Sequence, residues 1–374
     1  MKKKITLTTT FIIISSLIIL LTYKKDNNVT FSDTSKNNNN ILSIMLETSS
    51  GSGDYQESLS NSFPRNGYIF NENLSNCENG SKISWNEENK SVSVKSNKAD
   101  KCHLYFDIYE PTLAETIINL YTGTQGENSI YYHDSNLTNG AGDNSYRYSG
   151  SDPDNYVCFG SDESTCPTDN LYRIIGVFEE NNHGVSGKKL VKIIKNDSYG
   201  TYEWHKKSGN DWSIADLNKT LNSTFLTAQL SGYEDKIQSV AWKISGLGNE
   251  SGVAKGIYTV EVANATKTYE AKVGLMYLSD YAYASSPSYW ETSVFKYTAE
   301  VVATNWLYLD NKTQWVLTRA STDNYDVFSI TNDGYVNGDN NAFSLYEVKP
   351  TFYLISDILY AGGTGTLTDP YRAR

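Results

Sequence analysis

Short apolar and aromatic runs alternate with Asp, Asn and Gly over positions 314–354, a pattern typical of short strands separated by tight turns. Asp333-Gly334 and Asn337-Gly338 supply residues that tolerate positive φ, so we expect the backbone to reverse at both places. A meander of this kind cannot bury its apolar faces alone. The pattern therefore predicts that other strands or helices pack against it.

A second strand-like region covers positions 61–107. Ile83 and Trp85 alternate with polar neighbours, as do Val92 and Val94, so one face of each strand should be buried. So short a region offers little material for a core. We predict a small β-module that a disulfide helps to stabilise.

The clearest helical pattern lies at positions 110–123. Pro111 suits the first helical position, and Gly123 suits the C-terminal cap. Strand-like runs resume after a Tyr- and Asn-rich stretch at 124–166, which should be dominated by loops. We assign residues 108–374 to one C-terminal domain.

The chain opens with three lysines, an uncharged stretch at 5–23 and two more lysines. The stretch is close to the roughly 20 residues that a helix needs to cross a bilayer. We predict a transmembrane anchor over residues 1–25 with its lysine-rich end inside. A cleaved signal peptide is the alternative, although no Ala-x-Ala-like site follows Leu21. Residues 26–60 should form a flexible stalk. Either interpretation places the rest of the chain outside the cytoplasm, and the anchor would make it a single-pass protein of the cell membrane.

The chain is acidic, with a net charge of −11, although its first 25 residues contain five lysines and no acid. An acidic ectodomain lacks the basic surface that nucleic acid requires, and an anionic lipid surface would repel it. We therefore expect no nucleic-acid partner, and we interpret the acidity as a source of solubility.

The four cysteines fall into two local pairs, Cys77 with Cys102 and Cys158 with Cys166. An even number outside the cytoplasm favours disulfides, although four cysteines allow three pairings. Zinc is the alternative, but no Cys-x-x-Cys spacing supports it. We predict that each local pair is disulfide-bonded.

Five short motifs follow one another in the C-terminal domain. They are Trp212 before Leu217 and Leu221-Asn222, the run 273–279 with Tyr281 after it, and the runs 315–319, 334–336 and 348–354. In this order they resemble a family of uncharacterised bacterial surface domains related in fold to C-type lectins and formylglycine-generating enzymes. The resemblance covers positions 169–371. It implies a C-type-lectin-like fold for the C-terminal domain. With the small β-module and the N-terminal transmembrane helix before this domain, we predict an α+β protein.

Two departures limit what the resemblance implies about chemistry. C-type lectins that bind sugar through calcium carry Glu-Pro-Asn or Gln-Pro-Asp and Trp-Asn-Asp motifs, and this sequence has none. Formylglycine-generating enzymes use a cysteine pair in the second half of their domain, whereas no cysteine follows Cys166 here. Because a fold of this kind hosts many activities, it implies no function by itself.

The sequence contains no His-Glu-x-x-His and no Gly-x-Ser-x-Gly motif. We therefore predict no enzyme activity and no cofactor, with calcium as an open alternative. Several oxygen-bearing side chains near the C-terminus could gather around a hard cation. These are Asp326, Asp333 and Asp339, with Asn332, Asn337 and Asn340. The same residue types are more commonly turn formers.

The chain is rich in aromatic residues, with 29 tyrosines and 7 tryptophans. Exposed aromatic side chains could stack on sugar rings or contact a protein partner. We predict a ligand-contact loop at 281–290, with Tyr281, Tyr283, Tyr289 and Trp290 as the contact residues. Core packing is the competing interpretation of each of them.

Together these patterns predict a membrane-anchored, extracytoplasmic binding or adhesion protein. Its ligand would be a glycan or a surface protein, held by irregular loops on a rigid scaffold. Two alternatives stay open: a structural surface protein that assembles with itself, and an extracellular enzyme whose site is scattered over loops.

Overall fold

The computed structural model describes residues 32–33, 41–60, 62–64, 67–87, 89–95, 99–207, 209–248 and 252–374. The chain divides after Glu110 into two compact units, unit 1 and unit 2. About 34% of the residues are in strands and 20% in helices. The predicted α+β fold with a C-type-lectin-like domain is therefore wrong in its class, because β-sheet dominates the protein.

Unit 1 is built from two small sheets. Its described strands are β1 (Ser32–Asp33), β2 (Ile41–Glu47), β3 (Tyr55–Glu57), β4 (Tyr68–Cys77), β5 (Lys82–Asn86), β6 (Ser91–Lys95) and β7 (Lys101–Ile108). One sheet has the strand order β3-β2-β7-β4, and the other has the order β1-β6-β5. Alternate residues of β6 and β7 enter a small apolar core, where Val92, Leu104 and Phe106 are buried.

The flexible stalk predicted over residues 26–60 is wrong for residues 41–60, because strands β2 and β3 lie there; of residues 26–40 the structure describes only 32–33. Strand β2 pairs in parallel with β7, from Ile41 opposite Lys101 to Leu46 opposite Phe106, and β3 pairs with its other edge. Ile44 is buried in the core of unit 1. The sequence pattern missed this strand because a parallel partner lies far away along the chain.

Unit 2 contains two larger sheets and a two-stranded ribbon. Its strands are β8 (Ile130–Tyr132), β9 (Tyr146–Tyr148), β10 (Tyr156–Cys158), β11 (Leu171–Phe178), β12 (Leu190–Lys195), β13 (Gly200–Glu203), β14 (Ile237–Gln238), β15 (Val240–Lys243), β16 (Thr268–Ala271), β17 (Val273–Gly274), β18 (Gln314–Arg319), β19 (Asp326–Ile330), β20 (Val336–Asn341), β21 (Leu345–Val348), β22 (Thr351–Leu354) and β23 (Tyr371–Arg372). The largest sheet has the order β14-β22-β12-β11-β10-β23, with β17 beside β22 and the β8-β9 pair beside β11. The five-stranded sheet has the order β13-β21-β18-β19-β20, and β15 pairs with β16.

The helices of unit 2 are short. The α-helices are α1 (Leu113–Ile118), α2 (Glu180–His183), α3 (Asp216–Thr220), α4 (Leu226–Gln229), α5 (Ala254–Tyr258), α6 (Leu278–Ala284) and α7 (Ala299–Val302). Segments Leu221–Phe225 and Thr259–Ala263 are π-helical. Single 3-10 turns lie at Glu127–Ser129, Thr168–Asn170, Trp212–Ile214, Glu234–Lys236, Pro287–Tyr289 and Val294–Lys296. Among the residues that the structure describes, no helix has the length and apolar character needed to cross a membrane; the predicted anchor at 1–25 lies outside them.

The two predicted disulfides are confirmed. Cys77 of β4 bonds to Cys102 of β7, directly across an antiparallel pair of strands. Cys158, at the end of β10, bonds to Cys166 in the following loop. Each bridge joins segments within one unit.

The predicted meander is confirmed in its strands and corrected in its turns. The backbone reverses at Asp333-Gly334, between β19 and β20, where Gly334 has a φ of +83°. It does not reverse at Asn337-Gly338, since both residues lie inside β20. The last strand, β22, belongs to the large sheet rather than to the sheet of β18–β21.

Candidate ligand-binding site

A cavity of about 500 Å³ opens on unit 2 beside the turn between β19 and β20, and we call it the cleft. One wall is formed by the chain around α7, and the other by the turn. The lining residues are Tyr297, Ala299, Val302, Ala303, Tyr308, Asn311, Asn332, Asp333 and Tyr335. Three tyrosine rings and three amide or carboxylate side chains therefore meet in one cavity.

The turn is closed by short-range hydrogen bonds. The backbone N–H of Thr331 donates to the carbonyl oxygen of Tyr335 over 2.8 Å, and the N–H of Gly334 donates to the carbonyl oxygen of Thr331 over 2.9 Å. The turn needs glycine at position 334 for two reasons. Its φ of +83° is in the left-handed region, and a Cβ there would lie 2.5 Å from Cγ1 of Val302.

Two tyrosine hydroxyls hold the turn against the body of unit 2. Tyr281, in α6, donates to the carbonyl oxygen of Gly334 over 2.5 Å. Tyr308 donates to the carbonyl oxygen of Asn332, and its own oxygen accepts from the backbone N–H of Asn311 at 3.2 Å. Both sides of the cleft are thus linked through Tyr308.

The side chains of the cleft differ in how much they face solvent. Tyr335 is 41% exposed, and Asn311, Asn332 and Asp333 are also exposed. Tyr297 is buried, and this burial raises the pKa of its hydroxyl to about 12. The cleft therefore combines the buried ring of Tyr297 with exposed aromatic, amide and carboxylate side chains.

A buried ion network lies around α6. Nη2 of Arg147 is 2.7 Å from Oδ2 of Asp143, and Nζ of Lys192 is 2.5 Å from Oδ2 of Asp280. Nη1 of Arg147 lies 3.7 Å from Oδ1 of Asp280, which joins the two pairs. The side chains of all four residues are at most 4% exposed. A ligand in solvent cannot reach them.

The protonation states follow from burial and from these partners. Burial opposes the charged form of Asp143, but Arg147 holds its pKa well below the usual range. Burial lowers the pKa of Lys192, and the charge of Asp280 opposes that shift. A buried ion pair of this geometry has its charges and hydrogen bonds satisfied internally.

Glu261 completes the support of α6. Its carboxylate oxygens accept from the backbone N–H groups of Leu278 at 3.0 Å and Ser279 at 2.9 Å, which are the first two residues of the helix. Burial raises the pKa of Glu261, and the hydroxyl of Thr318 opposes this by donating to it. Together with the ion network, Glu261 fixes the helix that carries Tyr281 towards the cleft.

The predicted contact loop is corrected by this arrangement. Tyr281, Tyr283 and Trp290 are each at most 1% exposed, and Tyr289 is half-buried with its hydroxyl donating to Glu300 at 3.0 Å. All seven residues of α6 are buried, so its tyrosines pack inward on every side. Core packing, the competing interpretation, agrees with the structure. The prediction was wrong because no sequence pattern indicates that a helix this short is enclosed.

The side chains that we considered as calcium ligands do not all lie at one site. Asn332 and Asp333 line the cleft. Asn337 and Asn340 are engaged with each other, since the Asn340 amide donates to the carbonyl oxygen of Asn337 over 2.8 Å. In the described ranges, no three His, Cys, Asp or Glu residues are grouped so that they could hold a metal ion. Asp326 lies in β19, and Asn337, Asp339 and Asn340 lie in β20, away from the turn that carries Asn332 and Asp333.

Comparison with protein-family models, with curated proteins and with solved structures finds no match to this chain. The assignment of the cleft therefore depends on its geometry and chemistry alone. Sequence reasoning had singled out the turn residues Asn332 and Asp333, but it missed Tyr297 and Tyr308. The only feature of the sequence that points to Tyr297 and Tyr308 is that both are aromatic residues.

Proposed function

We propose that the protein works outside the cytoplasm as a binding protein, and that its cleft takes a carbohydrate. The cleft carries this proposal, because it brings tyrosine faces together with Asn and Asp side chains. The C–H faces of sugar rings pack on aromatic rings, and their hydroxyls pair with amides and carboxylates. Binding sites commonly have this composition, with few polar groups on an apolar surface.

The proposed location is supported by the two disulfides. Disulfides of this kind persist in oxidising compartments and are rare in the cytoplasm. We also propose that the lysine-flanked N-terminal residues hold the protein at the membrane. Fractionation of cells that express the full chain, followed by protease treatment of intact cells, tests both statements. Recovery of the protein in the soluble cytoplasmic fraction would overturn them.

The binding function is tested with a glycan array probed with purified residues 41–374, with calcium and again with a chelator. We expect binding to survive the chelator and to be lost when Tyr335 is replaced by alanine. Tyr325→Ala is the matched control, since Tyr325 is 44% exposed, Tyr335 is 41% exposed, and only Tyr335 lines the cleft.

Two outcomes would count against the proposal. The absence of binding to any glycan would remove the carbohydrate function. Equal loss of binding in the Tyr325 and Tyr335 variants would show that the cleft is not the site.

A further inference from the structure

A second cavity of about 390 Å³ lies in unit 2, and we call it the groove. Its lining residues are Leu247, Gly248, Phe295, Ala320, Thr322, Phe328, Val336, Asn337, Gly338 and Asp339. Phe295 is 38% exposed although it is a large apolar side chain, and its ring lies 6.2 Å from the ring of Phe328. The groove thus offers an aromatic surface with a polar rim, as the cleft does.

The same two chain segments form walls of both cavities. In the segment before and through α7, Phe295 lines the groove and Tyr297 lines the cleft. In the β19–β20 hairpin, Val336 lines the groove and its neighbour Tyr335 lines the cleft. Adjacent Cα atoms are about 3.8 Å apart, so the two cavities border the same parts of these two segments.

The charged residues that line the two cavities are all acidic. Neither set of lining residues includes Lys or Arg, whereas Asp333 lines the cleft and Asp339 lines the groove. Asp323 and Asp339 also act on Asp326, whose pKa is raised by burial first and by these two negative charges second. Like charges brought together at such a site repel each other. A ligand with carboxylate, sulfate or phosphate groups is therefore disfavoured.

We propose that the cleft and the groove are two subsites for one linear oligosaccharide that carries no acidic groups. This inference rests on the proposed carbohydrate function and adds to it the length and the charge class of the ligand. The cleft binds one part of the oligosaccharide on Tyr335, and the groove binds a following part on Phe295. Joining two weak contacts in one molecule raises the affinity above that of either contact alone.

The test is titration calorimetry with purified protein and neutral oligomers of N-acetylglucosamine, glucose and mannose, each as the single sugar, dimer, tetramer and hexamer. Oligogalacturonate of matched lengths is the acidic comparison. We expect affinity to rise by about tenfold or more from the single sugar to the tetramer, a gain the size of one good aromatic contact. We expect no measurable binding of oligogalacturonate.

Two variants separate the subsites. Phe295→Ala should abolish the gain with length, so that the tetramer binds no more tightly than the single sugar. Tyr335→Ala should weaken binding at every length. Phe343→Ala is the control for Phe295, since Phe343 is an exposed phenylalanine, at 51%, that lines neither cavity.

The possible failures are distinguishable. If no oligomer of any length binds, the carbohydrate function itself is wrong. If neutral sugars bind with an affinity independent of length, or if Phe295→Ala behaves as Phe343→Ala does, the function survives and the two-subsite inference is overturned. Binding of oligogalacturonate as tight as that of the neutral oligomers would overturn the charge class.

Discussion

The hydroxyl of Tyr281 donates a hydrogen bond of 2.5 Å to the carbonyl oxygen of Gly334, across 53 positions of sequence. Tyr281 is inaccessible to solvent, whereas Gly334 is the turn residue between Asp333 and Tyr335 at the cleft. This bond transmits the position of a buried helix to a surface turn. Tyr281, which we predicted as a contact residue, therefore lies behind the turn that lines the cleft.

Replacing Tyr281 with phenylalanine should reduce the free energy of ligand binding by more than it reduces the free energy of unfolding. Removing the hydroxyl leaves the Gly334 carbonyl oxygen without this donor, which costs about 1–3 kcal/mol of unfolding free energy. Urea denaturation measures that cost, and calorimetry with the bound sugar measures binding. Tyr283→Phe is the control: Tyr283 is in the same helix, but its hydroxyl donates to Asn139 at 3.2 Å. Equal binding losses in the two variants would contradict the role given to Tyr281.

Alanine at position 334 should destabilise the protein by about 1–3 kcal/mol more than alanine at position 232. Gly334 and Gly232 have the same φ of +83°, so both variants carry the same left-handed strain. Only at 334 does the new Cβ meet Val302, at 2.5 Å, while nothing lies within 4 Å at 232. Thermal denaturation of the two variants gives the difference. Equal melting temperatures would show that the turn moves away from α7 without cost.

Replacing Lys192 with methionine should cost about 3–5 kcal/mol, because it leaves the buried Asp280 carboxylate without its closest cation. The matched control is Lys189→Met, which removes the exposed pair between Lys189 and Glu179 and should cost about 0–1 kcal/mol. Denaturant unfolding compares the two variants. Similar losses of unfolding free energy in the two variants would mean that Arg147, 3.7 Å from Asp280, compensates the charge of Asp280 without Lys192.

Lys349 makes stability depend on pH. It is 5% exposed, and burial, with a smaller contribution from Arg173, lowers its pKa from 10.5 to about 7. Between these two pH values the unfolded chain binds more protons than the folded protein, so the free energy of unfolding rises with pH. Below pH 7 the penalty for charging the buried amine is present in full.

Lys349→Met should therefore stabilise the protein, and by about 2 kcal/mol more at pH 7 than at pH 9. Lys188→Met, at an exposed lysine, is the control and should give no such difference. Urea unfolding at the two pH values measures both variants. A stabilisation that is the same at pH 7 and pH 9 would show that Lys349 is charged throughout this range.

Several local features followed from sequence patterns alone. The turn at Asp333-Gly334 was predictable because few residue types adopt positive φ, and the local cysteine pairs were predictable because short separations favour closure. The start of α1 was placed within a few residues. It begins at Leu113 instead of Pro111, because Thr112 accepts a hydrogen bond from the N–H of Glu115 and caps the helix.

The sequence by itself determined local features such as the turn at Asp333-Gly334 and the cap of α1, since φ preferences and caps depend on neighbouring residues. Only the tertiary structure decided which surfaces are covered. It buried Tyr281 and Trp290, paired β2 with β7, and left Tyr335 and Phe295 at the surface. The physical reason is that burial depends on partners far away in the chain, and an aromatic residue has the same local preferences in a core as in a cleft.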